Sequence, residues 1–227
     1  MTSLTPYCAG FLDAILRGDR NEAWELVREA MRASASPTGI YIEILQEALY
    51  EVGRLWETDC INVADEHTAT AVAQYVLAQL YFEAEPPPHV RGNAVITGVE
   101  GEFHNVGAHI IADVLEHDGW NIRLLGSDLP ISDILDIVER HEDIVEKHGA
   151  VVLGVSTTMG TNVPATARLI SEAKHRFGTE IRIVVGGGAF RSAPHMAEQI
   201  GADGYAHDVQ TALEMLRHPH QLYCDRT

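Results

Sequence analysis

Glu102 and His104 stand two residues apart, and Gly107 follows three residues later. In an extended turn, a carboxylate at that distance can accept a hydrogen bond from one imidazole nitrogen. The tautomer is then fixed, and the other nitrogen keeps the lone pair that a metal takes. Gly107 lets the next helix, or a ligand, approach the backbone closely. The plainer alternative is a partly exposed loop histidine beside glutamates that serve as helix N-terminal charge. Further on, Ser156-Thr157-Thr158 and Gly186-Gly187-Gly188 each close an apolar run. No GxGxxG or GxxxxGKS/T accompanies the glycines, which weakens a nucleotide reading. Ser156 lacks a GxSxG elbow, which argues against hydrolase chemistry.

These residues need elements to hold them, and the hydrophobic rhythm supplies two kinds. After Pro86-Pro87-Pro88 the chain alternates. Apolar runs at 94–99, 122–125, 151–155 and 181–185 have strand length, with a weak fifth at 204–206. Amphipathic stretches at 108–117, 131–147, 163–177, 193–200 and 209–217 separate or follow them. Strand and helix in regular alternation predict a doubly wound, flavodoxin/Rossmann-like five-stranded parallel sheet. The ligand crevice of such a sheet lies beyond the C-terminal ends of its strands, where the residues named above fall. Before the prolines the rhythm is helical. Stripes at Phe11/Ile15, Ala23/Val27 and Ile40 to Trp56 precede a fourth helix, capped by Asn62 and running to about Phe82. The expected organisation is a four-helix bundle over 1–85, a proline linker over 86–91 and an α/β domain over 92–227.

Composition removes several function classes. Sixteen Lys and Arg against 33 Asp and Glu give a net charge of −17. Acidic residues lie in both halves, and no basic cluster offers a face to a phosphate backbone, so nucleic-acid binding is not expected. No apolar run is long enough to span a membrane, and the N-terminus lacks a secretory pattern. Three widely spaced cysteines, Cys8, Cys60 and Cys224, fit a reducing cytoplasm better than a disulfide framework or a zinc site.

The order Glu102-x-His104-x-x-Gly107, Ser156-Thr157 and Gly186-Gly187 resembles the cobalamin-binding module of methionine synthase and its relatives, over about residues 5–217. The resemblance implies cobalamin as cofactor, with His104 as lower ligand to cobalt in place of the cofactor's own base. The displaced nucleotide tail would thread into the sheet domain along Ser156, Thr157, Thr158 and Gly186–Gly188, and a four-helix cap would cover the upper face of the ring. Trp56, nine residues ahead of Glu66-His67, is similar to the cap of CarH-type light-dependent repressors. That likeness implies adenosylcobalamin, with Trp56, Glu66 and His67 about its adenosyl group.

Three departures stand out. Glu57 replaces the histidine that follows the tryptophan in those photoreceptors, the DNA-binding helices ahead of the cap are absent, and Glu102 stands where methyl-carrying proteins usually have Asp. The expectation is therefore a non-enzymatic, light-responsive sensor. It would self-associate and signal through a partner such as a transcription regulator or a signalling enzyme. The alternative is a corrinoid methyl-carrier subunit of a methyltransferase system, and a third reading is cobalamin storage or delivery.

Overall fold

A computed structural model of the chain describes residues 4–83, 91–145, 151–191 and 193–217. Pro86–Pro88, His148 and Cys224 lie outside these described residues. The chain divides into two compact units, Met1–Glu85 and Pro86–Thr227, and each is taken by itself.

The first unit is helical: α1 (Thr5–Leu16), α2 (Arg20–Arg32), α3 (Pro37–Ile40), a π-helical turn (Tyr41–Gln46), α4 (Glu47–Glu57) and α5 (Val63–Glu83). Side-chain caps set the starts. Asp19 accepts from the backbone N–H groups of Asn21 and Glu22, and Ser36 accepts from that of Gly39. At α5 the cap is reciprocal. Asn62 Oδ1 accepts from the N–H groups of Ala64 and Asp65, while Asp65 Oδ2 accepts from that of Asn62. The stripe from Ile40 to Trp56 predicts one regular helix. In the structure α3 and α4 are joined through the π turn, whose Tyr41, Ile44, Leu45 and Gln46 are buried. Phe11, Ile15, Val27, Val76 and Leu80 complete the core of this unit.

The second unit runs β1 (Asn93–Val99), α6 (Val106–His117), β2 (Asn121–Leu129), α7 (Ile131–Val145), β3 (Val151–Ser156), α8 (Val163–Phe177), β4 (Ile181–Gly186), α9 (Gly188–Arg191), α10 (His195–Gln199), β5 (Gly204–Ala206) and α11 (Val209–Arg217). All pairings are parallel, in the order β2-β1-β3-β4-β5. Alternate residues face opposite sides of a strand. Val95, Val99, Leu153, Val155, Ile183 and Val185 enter one apolar cluster with residues of α7 and α8. Their neighbours Ala94, Ile96, Val152 and Val184 are buried as well, and α6 and α11 pack together against the sheet. Burial on both faces explains why these strands read as unbroken apolar runs.

The expected α/β architecture stands, with two local differences. β2 continues past 125 to Leu129, with register shifts against β1 on either side of Thr97. The expected helix at 193–200 is the short α10, which starts after Pro194 as its N-cap, and a further short helix, α9, precedes it from Gly188.

Candidate functional site

In the order β2-β1-β3-β4-β5, the chain reverses its winding between β1 and β3, and the crevice at such a point is where ligands bind. Two loops meet there, the one leading from β1 to α6 and the one leading from β3 to α8. Glu102 joins them. Its side chain is fully buried. Oε1 accepts from the His104 ring Nδ1 at 2.7 Å and from the His104 backbone N–H at 3.1 Å. Oε2 accepts from the backbone N–H of Thr158 at 2.8 Å, that of Met159 at 3.2 Å and Asn162 Nδ2 at 3.1 Å.

Burial alone would push this carboxyl up. The bonds from His104, Asn162 and Thr158 outweigh it and hold Glu102 down to about 2, so it is ionised at neutral pH. A carboxylate can only accept, which makes Nδ1 of His104 the donor and Nε2 the basic nitrogen of the ring. Half of the His104 side chain is exposed. The loop is braced from two more directions. Asp128 Oδ1 accepts from the Gly101 N–H at 2.9 Å, and Asn162 Nδ2 also donates to Gly101 O at 3.1 Å.

The residues expected to line a tail fall into distinct places. Ser156 ends β3 and is half-buried, in register with Gly98 of β1 and Gly186 of β4. Thr157 is fully buried. Its hydroxyl bonds to that of Thr166 at 2.7 Å, its N–H donates to Gly186 O, and its carbonyl accepts from Ala189 N. It therefore clasps β3 to β4 and α8. Thr158 offers its backbone to Glu102. Gly187, with φ of +101°, sits so close to Thr157 that a Cβ would lie 2.4 Å from the carbonyl oxygen. Gly186 and Gly188 would place a Cβ 3.0 Å from Ala206 O and 3.2 Å from Thr158 O. A Cβ on Gly107 would meet nothing within 4 Å, so open space lies beside the start of α6.

In the helical unit, Trp56 is the penultimate residue of α4 and 42% exposed. Glu66 lies in the first turn of α5, where it accepts from Thr70 Oγ1 at 2.8 Å. His67 Nε2 is 3.6 Å from Glu66 Oε2, on a largely exposed side chain. The turn between α4 and α5 puts Trp56, Glu57, Glu66 and His67 at one end of this unit. An acidic residue in a first helical turn is favoured by the helix itself, so the Trp-x9-Glu-His spacing arises without any ligand.

Sequence reasoning missed Asn162, and it placed Asp128 at a strand end on the crevice side without its bond to Gly101. Asn162 directly precedes Val163-Pro164 and reads as an ordinary N-cap. It makes no cap bond and reaches across to the other loop instead. Nothing local could have shown that. Among the described residues, no group of three His, Cys, Asp or Glu could hold a metal ion. One basic imidazole nitrogen, Nε2 of His104, with open space at Gly107, fits a metal whose other positions come with a macrocycle. No helix among the described residues is long and apolar enough to cross a membrane.

Two models of the B12 binding domain match the chain, one over residues 92–214 and another over 7–81. Dimethylamine corrinoid protein 3 of Methanosarcina acetivorans is 25% identical over 205 residues, covering 88% of this chain and 91% of its own length. Trimethylamine corrinoid protein 1 of the same organism is 26% identical over 220 residues, with 96% and 98% covered. The solved structure of the Methanosarcina barkeri monomethylamine corrinoid protein superimposes with a TM-score of 0.78 at 22% identity, covering 95% of this chain and 99% of that one. These findings overturn the light-sensor expectation, since the relatives are methylamine corrinoid proteins and not photoreceptors. The physical reason is the one just given: Trp56 and Glu66-His67 are compatible with helix-end chemistry alone and do not discriminate between the two classes. The expected transcription-regulator partner falls with the sensor reading, since the named relatives point to methyl-group chemistry instead.

Proposed function

We propose that this chain, which belongs to the B12-binding domain family, is a corrinoid protein that carries methyl groups for partner methyltransferases. Cobalamin is the cofactor of the family. The observation that carries the reading is the Glu102–His104 pair at the β1–β3 switch point, held by the β3 loop through Thr158, Met159 and Asn162. The names of the relatives, dimethylamine and trimethylamine corrinoid proteins, support a methylamine-derived methyl group as the cargo. The likeness covers 91% and 98% of those two relatives' own length.

In this reading His104 presents Nε2 to the cobalt, and bound cobalamin supplies a metal that can accept a methyl group and give it up. Glu102 keeps the proton of the imidazole on Nδ1, so that the basic nitrogen is always the one facing outwards to the metal. Because Glu102 is ionised and buried, it also raises the electron density of that imidazole. Ser156, Thr158 and the Gly186–Gly188 turn accommodate the nucleotide tail. The glycines matter because the backbones of the β3 and β4 loops already touch, and any side chain on Gly187 would force them apart. The chain holds and delivers the group, and the partner enzymes catalyse its transfer.

The test uses the full chain loaded with hydroxocobalamin, reduced, and given isotope-labelled methyl iodide. Stoichiometric retention of label, followed by its release to a thiol acceptor when a methyltransferase is added, is expected. Binding of cobalamin with no retained label would reject the carrier reading. His104→Ala should still bind the corrinoid, more weakly, and with the visible absorption bands shifted towards those of a cobalt without a lower imidazole. If the spectrum of that variant equals that of the wild type, His104 is not the lower ligand.

A further inference from the structure

Phe103 and Met159 are the large hydrophobic side chains that the described residues of the α/β unit leave exposed, at 74% and 41%. The other described large hydrophobic residues of this unit are buried or partly buried. Both come from the loops that Glu102 joins. Phe103 lies between Glu102 and His104 in sequence, and the backbone N–H of Met159 donates to Glu102 Oε2 at 3.2 Å. Single apolar residues scattered over a surface need no explanation, whereas two on the loops that share one buried carboxylate at a switch point call for one.

The same carboxylate sets the orientation of His104 through Nδ1. Phe103, His104 and Met159 are therefore held by one anchor before any ligand arrives. A flat ring that takes its metal to the His104 imidazole is much wider than the imidazole, and so extends over the groups that flank it. Phenylalanine offers a rigid apolar face with few rotatable bonds. Methionine fits itself to an irregular rim. We propose that Phe103 and Met159 form an apolar seat for the lower face of the corrin ring beside His104. The inference rests on the corrinoid reading above and adds to it the two side chains that bind the ring itself, apart from the residues that take the tail.

A ring seat and a tail groove make different demands, and cobinamide, the corrin ring without its nucleotide tail, separates them. The full-length apoprotein is titrated with hydroxocobalamin and with cobinamide, following visible absorbance. The Phe103→Ala/Met159→Ala double variant should bind both ligands about tenfold more weakly or worse. The His104-ligated spectrum should persist at saturation, and circular dichroism should match that of the wild type because both side chains are exposed. The Phe103→Leu/Met159→Leu double variant should recover most of the affinity.

Equal affinity of the wild type and the alanine double variant for both ligands would overturn the inference and leave the corrinoid reading standing. Failure of the wild type to bind either ligand would overturn both. Unchanged affinity for the two corrinoids, together with lost association with a methyltransferase, would assign the pair to a protein contact and overturn the seat.

Discussion

Glu102 is buried without exposed surface and is still ionised, and the balance of forces there has measurable consequences. Its folded-state pKa, about 2, lies below the ordinary 4.5. A depressed carboxyl contributes stability that is fully present above its unfolded value and is lost as pH falls through its folded one. Acid titration of the apoprotein should therefore show stability declining from roughly pH 4.5 towards pH 2, by about 3 kcal/mol from this group. The Glu102→Gln variant should lack most of that decline. In Glu102→Gln an amide also confronts backbone donors that need an acceptor, so affinity for hydroxocobalamin should drop about 10–100-fold, the usual cost of losing a partner of a metal-bound histidine. A variant that titrates and binds like the wild type would show that the carboxylate does not position His104.

At the scale of elements, the site depends on how closely two loops can approach. Gly187 follows β4 with φ of +101°, a conformation that L side chains rarely adopt, and the Thr157 carbonyl fills the place of a Cβ. The Gly187→Ala variant should lose about 1–3 kcal/mol of stability, read as a lower melting temperature. Its affinity for cobalamin should fall more than its affinity for cobinamide, because the turn adjoins the tail rather than the ring. An equal loss for both would place the glycine in the fold alone. The Thr157–Thr166 hydroxyl pair and the bond from Ala189 N to Thr157 O tie the same turn to α8 and α9. The turn proposed to take the tail is in this sense a rigid part of the sheet and not a free loop.

The whole molecule consists of two units, each with its own core. The second is also closed on itself by Asp118. Its largely buried carboxylate takes Arg91 Nε at 3.3 Å, just ahead of β1, and Arg217 Nε at 3.1 Å, at the end of α11. One side chain thus holds the beginning and the end of the described α/β unit together. A fragment spanning 91–217 should therefore fold without the helical unit and bind hydroxocobalamin through His104. Circular dichroism and the visible spectrum check this. A fragment that is unfolded, or folded but colourless, would mean that the helical unit is required for the fold or for the site. The net charge of −17 is repulsive towards polyanions.

How much was legible in advance follows from distance along the chain. Strand and helix periodicity are local, so the positions of β1, β3, β4, α8 and α11, the reciprocal Asn62–Asp65 cap and the Glu102-x-His104 pair could all be read directly. The second kind of information is long-range. Oε2 of Glu102 is satisfied by Thr158, Met159 and Asn162, more than fifty residues away, and no periodicity announces those partners. They meet because β3 lies beside β1 rather than beside β2, which only the strand order decides. The same holds for Asp128, which reaches Gly101 through the extended, irregular end of β2. Trp56 and Glu66-His67 show the opposite failure: a local pattern carried too much functional weight, because helix ends select such residues whatever binds nearby. The amino-acid sequence by itself determined the elements and the identity of the histidine. Tertiary structure alone decided which groups of the β3 loop hold Glu102 behind that histidine, since they depend on contacts between segments that only the packed sheet brings together.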